Sequence, residues 1–177
     1  SLGWLILLWN LTASAFASSW PEWDVFSKRF IQADGRIVDL TFDRKSTSEG
    51  QSYGLFFALV ANDRARFDTI LKWSSDNLAG GQLGDKLPAW HWGLREDGRW
   101  GVKDENSASD SDVWVVYTLL EAARLWNEPR YARIGQKLLT QVKRHEIAQA
   151  GRTGPVLLPG AYGFVLDKGR FRIEPCY

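Results

Sequence analysis

Residues 53–61 (Tyr-Gly-Leu-Phe-Phe-Ala-Leu-Val-Ala) are apolar nearly all round, and so are residues 113–126, interrupted only by Thr118, Glu121 and Arg124. A helix with no polar face is one wrapped by protein on every side. The segment after each reads differently. Residues 64–78 carry Phe67, Ile70, Leu71 and Leu78 on one side, with Arg66, Asp68, Lys72 and Asp76 elsewhere. Residues 130–146 repeat the scheme, with Tyr131, Ile134, Leu138 and Val142 at helical spacing and Arg133, Lys137, Gln141 and Lys143 outside. Asn127-Glu128-Pro129 divides the second pair, and Pro129 suits a first helical turn. A buried helix followed by a one-sided surface helix, twice over, predicts a barrel of inner and outer helices.

Residues 20–30 predict a further helix with Pro21 in its first turn. Ala33-Asp34-Gly35-Arg36 reads as a turn, and residues 37–42 alternate briefly like a strand. After Gly151 the texture changes to glycine, proline and β-formers, with Asp167-Lys168-Gly169 as a hairpin turn. The predicted class is all-α, with a short β-hairpin insertion near the C-terminal end. Two inner–outer pairs do not close a barrel, so about the first half of one is expected.

Length, charge and cysteine usage narrow the function classes. At 177 residues, one domain or part of one is expected. Lys+Arg 22 against Asp+Glu 21 argues against a broad nucleic-acid-binding surface. With only His91 and His145 and the single Cys176 there is no zinc pattern and no internal disulfide, and no phosphate-binding loop appears. Residues 2–11 form a short apolar run followed by Ala13-Ser14-Ala15-Phe16-Ala17. That is the signature of a secretory signal peptide over residues 1–17, cleaved after Ala17, and it is too short to span a bilayer. The reading is a periplasmic or secreted catalytic domain over residues 18–177. Asn10-Leu11-Thr12 fits the glycosylation pattern but lies inside the apolar run and carries no weight.

Two acidic words carry the chemistry: Ser46-Thr47-Ser48-Glu49-Gly50-Gln51-Ser52-Tyr53-Gly54 and Asn106-Ser107-Ala108-Ser109-Asp110-Ser111-Asp112-Val113-Trp114. Each sets a carboxylate where a polar turn runs into an apolar helix. Between them lies a tryptophan-rich stretch with Trp90, Trp92 and Trp100, in a chain holding 10 Trp, 9 Phe and 5 Tyr. Carboxylates beside exposed rings suit glycosidic bond cleavage, because acids move protons while flat rings hold the faces of sugars. A plainer alternative stands beside each. Ser46-x-x-Glu49 fits a capping box, and Ser109 or Asp110 fits a helix cap. Trp100 fits core packing equally well. Two such words at the mouths of two inner helices favour the catalytic reading. A helix N-terminus favours an ionised Glu49, whereas burial among rings and a neighbouring Asp110 favour the protonated form a general acid needs.

At these words, and at Leu87-Pro88-Ala89-Trp90-His91-Trp92-Gly93, the chain resembles glycoside hydrolase family eight over residues 20–177. The resemblance is greatest to the periplasmic endoglucanases encoded beside bacterial cellulose synthases. Ser111, between the two aspartates, departs from the family's usual Ala or Gly. The resemblance implies an (α/α)6 barrel that cleaves β-1,4-glucan internally with inversion. It implies Glu49 as the general acid and Asp110 as the second active-site carboxylate, binding and distorting the sugar. Tyr53, Trp90, Trp92 and Trp100 become candidates for the substrate cleft. Inversion needs a water-activating base with the two carboxyls roughly 6.5–9.5 Å apart. In the family that base is an aspartate expected beyond Tyr177, and neither Asp167 nor Glu174 is matched to it.

The leading reading is an endo-β-1,4-glucanase linked to cellulose synthesis or degradation, working on a cellulose chain as a monomer and in contact with a cellulose synthase complex. A xylanase or chitosanase of the same family is the second reading, and a non-catalytic glucan-binding protein the third. No cofactor or metal is implied, since water and two carboxylates suffice.

Overall fold

A computed structural model of the chain describes residues 20–174. The expected signal peptide and Cys176 lie outside these residues. Five helices and five short strands follow in order: α1 (Pro21–Phe30), β1 (Ser46–Thr47), α2 (Ser48–Val60), α3 (Arg64–Leu78), β2 (His91–Leu94), β3 (Trp100–Asp104), α4 (Ser109–Trp126), α5 (Pro129–His145), β4 (Ile147–Gln149) and β5 (Pro155–Leu157).

The two inner–outer pairs are present. Helix α2 packs against both α3 and α4, and α4 against α5. Leu55 and Ala58 of α2 meet Phe67 and Ile70 of α3, Leu119 and Ala122 of α4, and Tyr131 and Leu138 of α5 in one buried core. The helices begin and end as their sequences direct. Asp63 caps α3, its side chain accepting from the Arg66 N–H at 3.1 Å. Asn127 closes α4 in the left-handed conformation, and Pro129 then opens α5.

The inner helices differ from expectation in two ways. Each starts about a turn earlier than its apolar run, at Ser48 and Ser109, because the polar words themselves are helical. Nor are they covered on every side. Tyr53, Val60, Val113, Tyr117 and Leu125 leave an exposed apolar stripe along α2 and α4.

Three connectors also depart from the sequence reading. Residues 37–42 do not form a strand. Ile37 makes one bridge to Ile31, and the chain then turns through Asp43 and Arg44 at positive φ. The Asp39 carboxylate holds that turn, accepting from the Thr41 N–H and hydroxyl at 2.8 and 2.6 Å. The tryptophan-rich stretch is a hairpin rather than a loop. Strands β1, β2 and β3 form an antiparallel sheet in that order, with Thr47 opposite His91 and Trp92 opposite Val102. The C-terminal hairpin pairs β4 with β5, earlier than Asp167-Lys168-Gly169, which is a single 3₁₀ turn inside the Val165–Phe171 bridge.

Candidate active site

The first turns of α2 and α4 settle the capping alternatives. Thr47, not Ser46, caps α2, its side chain accepting from the Gly50 N–H at 3.1 Å. Ser46 is engaged elsewhere: its hydroxyl donates to the Ile37 carbonyl at 2.6 Å and accepts from Arg36 Nε at 2.9 Å. Ala108 precedes α4 without any side-chain cap. Glu49 and Asp110 are therefore each the second residue of an inner helix, with neither acting as a cap.

Both carboxylates line one open concavity of about 560 Å³, together with Ser52, Tyr53, Ser111, Val113, Trp114 and Leu157. The two helix starts are fastened directly, with the Ser48 and Ser111 hydroxyls 2.7 Å apart. Ser111, where the family usually has Ala or Gly, thus makes a bond that neither small residue can make. A smaller recess on the same rim adds Asp39, Lys45 and Trp90 to Glu49 and Asp110.

Tyr53 is one helical turn beyond Glu49 and 44 % exposed. Its phenol lies beside the Glu49 carboxylate. Desolvation raises the phenol above its ordinary range, and the charges of Glu49 and Asp110 raise it further. Tyr53 therefore stays a donor into alkaline solution. Glu49 itself is exposed, in contrast to the expected burial among rings.

The tryptophans divide. Trp90 faces the recess of the two carboxylates. Its side chain is the main influence holding the Asp104 carboxyl below its ordinary range, and the Asn106 N–H, which donates to Asp104 at 2.9 Å, adds to it. Trp92 and Trp100 stand elsewhere and line neither the concavity nor the recess. They stack at 5.3 Å, Trp92 meets Trp73 edge-on at 5.3 Å, and the Arg36 guanidinium lies 4.4 and 4.6 Å from the two ring centres. Packing of that kind holds a hairpin on a helix. Trp100 also borders a separate concavity of about 480 Å³ with Phe42, Lys45, Leu94 and Lys103.

Several site residues escaped the sequence reading. Trp114 was hidden inside an apolar run, although its ring packs edge-on against Tyr53 at 6.4 Å. Asp104 carries no signal beyond its place in a hairpin. Asp112 was taken as part of a word, and Glu146 as the end of a surface helix. Both are fully buried behind Asp110.

Glycosyl hydrolases family 8 is the family whose model matches residues 3–177, and the chain belongs to it. An endoglucanase of Escherichia coli O157:H7 is 52% identical over 162 residues, covering 91% of this chain and 44% of that protein. An endoglucanase of Xanthomonas axonopodis pv. citri (strain 306) is 49% identical over 168 residues, covering 94% of this chain and 44% of that protein. The crystal structure of the endo-1,4-D-glucanase from Vibrio fischeri ES114 superposes with a TM-score of 0.85 at 48% identity, covering 88% of this chain and 45% of that one. The chain thus spans less than half the length of these relatives. Its helices form about half of the family's (α/α)6 barrel.

Proposed function

We propose that the full gene product is an endo-β-1,4-glucanase in which Glu49 protonates the departing glycosidic oxygen and Asp110 holds the sugar at the cleavage point. The observation that carries this is the shared concavity: two carboxylates at matching helix positions, tied through Ser48 and Ser111, with a tyrosine hydroxyl beside one of them. The endoglucanase names of the relatives support the same reading.

The geometry explains the division of labour. Glu49 is exposed at the rim, where an acid must stand to reach a leaving oxygen. Asp110 is half-buried beside it, the better place for gripping a ring hydroxyl. Trp90 lines the recess beside both carboxylates. Inversion requires a water-activating base across the ring, and no described residue is assigned that part. Cellulose is the proposed polymer. Export, action beside cellulose synthesis, contact with a synthase complex and a monomeric state belong to the same proposal, the first resting on the apolar run at residues 2–11.

The test is a comparison of reducing-end release from carboxymethylcellulose, xylan and chitosan by the full gene product. Preference for carboxymethylcellulose supports the proposal. Preference for xylan or chitosan replaces the substrate, and binding without release from any of them removes the catalytic reading.

A further inference from the structure

We infer that Asp112 and Glu146 hold one proton between them behind Asp110, and that this shared proton keeps Asp110 in place at the concavity. The inference rests on the proposed part of Asp110 in catalysis.

Asp112 lies on α4 two residues beyond Asp110, and Glu146 immediately follows α5. Each is 0% exposed. The Ser107 hydroxyl donates to Glu146 Oε1 at 2.6 Å. Glu146 Oε2 and both Asp112 oxygens meet no N–H or hydroxyl donor. The two buried carboxyls act on each other and on Asp110, and among the described residues neither is ion-paired to a Lys or Arg. His145, next to Glu146 in sequence, lines an adjoining recess with Ser107, Asp85 and Lys86, and Lys86 is paired there with Glu105 at 3.3 Å. Two ionised carboxylates cannot be buried in contact without a cation. A single proton resolves the cluster, with the Asp112 carboxyl donating to Glu146. Burial first, and then the charge of Glu146, holds Asp112 well above the ordinary carboxylate range. Burial likewise raises Glu146.

The pair also fastens the segment that leads into the first turn of α4, where Asp110 stands. Ser107, bonded to Glu146, accepts from the Ala161 N–H at 3.1 Å, and the Leu158 N–H donates to the Glu146 carbonyl at 2.7 Å. The Ser109 N–H donates to the Pro159 carbonyl at 3.1 Å. Loss of the shared proton would place a further negative charge behind Asp110 and drive this junction apart. Asp112 and Glu146 are positioning residues, acting on substrate only through Asp110.

The test has two parts, both on the full gene product. Difference infrared spectroscopy at neutral pH should show a protonated carboxyl that disappears in both Asp112→Asn and Glu146→Gln. A well-folded parent without that band overturns the inference, whatever its activity. In the pH profile of glucan hydrolysis, Asp112→Asn, which supplies an uncharged donor in the same place, should hold activity further into alkaline solution than the parent. Asp112→Ala should lose about tenfold or more across the range. An alkaline limb unchanged in Asp112→Asn also overturns it. Absence of all hydrolysis in the parent would count against the glucanase reading and leave the infrared result to decide this one.

Discussion

Replacing Gln51 by Met should destabilise the protein by about 2–4 kcal/mol while leaving its core shape intact. Gln51 is 1% exposed on α2, two residues beyond Glu49, and its amide is a hub. Its Oε1 accepts from the Ile37 N–H at 2.6 Å, and its Nε2 donates to the Gly35 carbonyl at 3.2 Å and to Ser74 Oγ at 3.0 Å. Met fills nearly the same volume but can make none of these bonds. Among the described residues the Ile37 N–H has no other partner, so it becomes an orphaned buried donor, at about 1–3 kcal/mol. The Gly35 carbonyl and Ser74 add about 1 kcal/mol each at most, because Ser74 keeps its bond to the Ile70 carbonyl at 2.8 Å. Relief from burying an amide offsets part of the sum. The assay is urea unfolding with an unchanged m-value, which separates lost stability from a changed denatured state. Lys72→Ala serves as the control. It breaks an exposed ion pair with Asp76 and should shift stability by no more than about 0.5 kcal/mol. If Gln51→Met matched that control, the amide would not be what joins the 35–37 turn to the helix bearing Glu49.

Four other outcomes follow from the same structure. Tyr53→Phe removes the hydroxyl beside Glu49 and should lower glucan hydrolysis about tenfold with folding unchanged, as read by steady-state kinetics and circular dichroism. Trp90→Ala should weaken glucan hydrolysis or binding more than Trp100→Ala, since only Trp90 faces the carboxylate recess; affinity electrophoresis on soluble glucan ranks the two. Gly160→Ala would set a methyl carbon 2.3 Å from the Ser107 carbonyl oxygen, so it should loosen the segment that leads into α4 and lower thermal stability by about 1–3 kcal/mol. Asp112 and Glu146 both protonate more readily folded than unfolded, so their contribution is full below the unfolded carboxylate range. It is lost as pH rises through their raised folded values, and unfolding measured against pH should show this slope flattened in Asp112→Asn.

The fold was legible where burial alone shapes the sequence. Helices 64–78 and 129–145 announce themselves because one face of each is wet, and Pro129, in the first turn of the second, is a local signal. The starts of α2 and α4 were hidden because Ser48, Ser52, Ser109 and Ser111 are buried polar residues, and the Ser48–Ser111 bond joins two helices rather than neighbours along the chain. The β2–β3 hairpin was missed because its stability comes from Trp92, Trp100, Trp73 and Arg36, partners brought together only by the fold. Among the site residues, Glu49, Asp110, Tyr53 and Trp90 gather at one rim, while Trp92 and Trp100 do not. Composition shows that rings are present, but not which way each one faces. Asp112 and Glu146 were out of reach for a similar reason, since their contact joins two ends of a helical hairpin.

The most direct measurement is reducing-end release from carboxymethylcellulose by the full gene product, with Glu49→Gln and Asp110→Asn assayed beside it. The account predicts an active parent, near-loss in Glu49→Gln of about 10²-fold or more, and a clear loss in Asp110→Asn, with all three equally folded. An active parent whose rate is untouched by Glu49→Gln would contradict it.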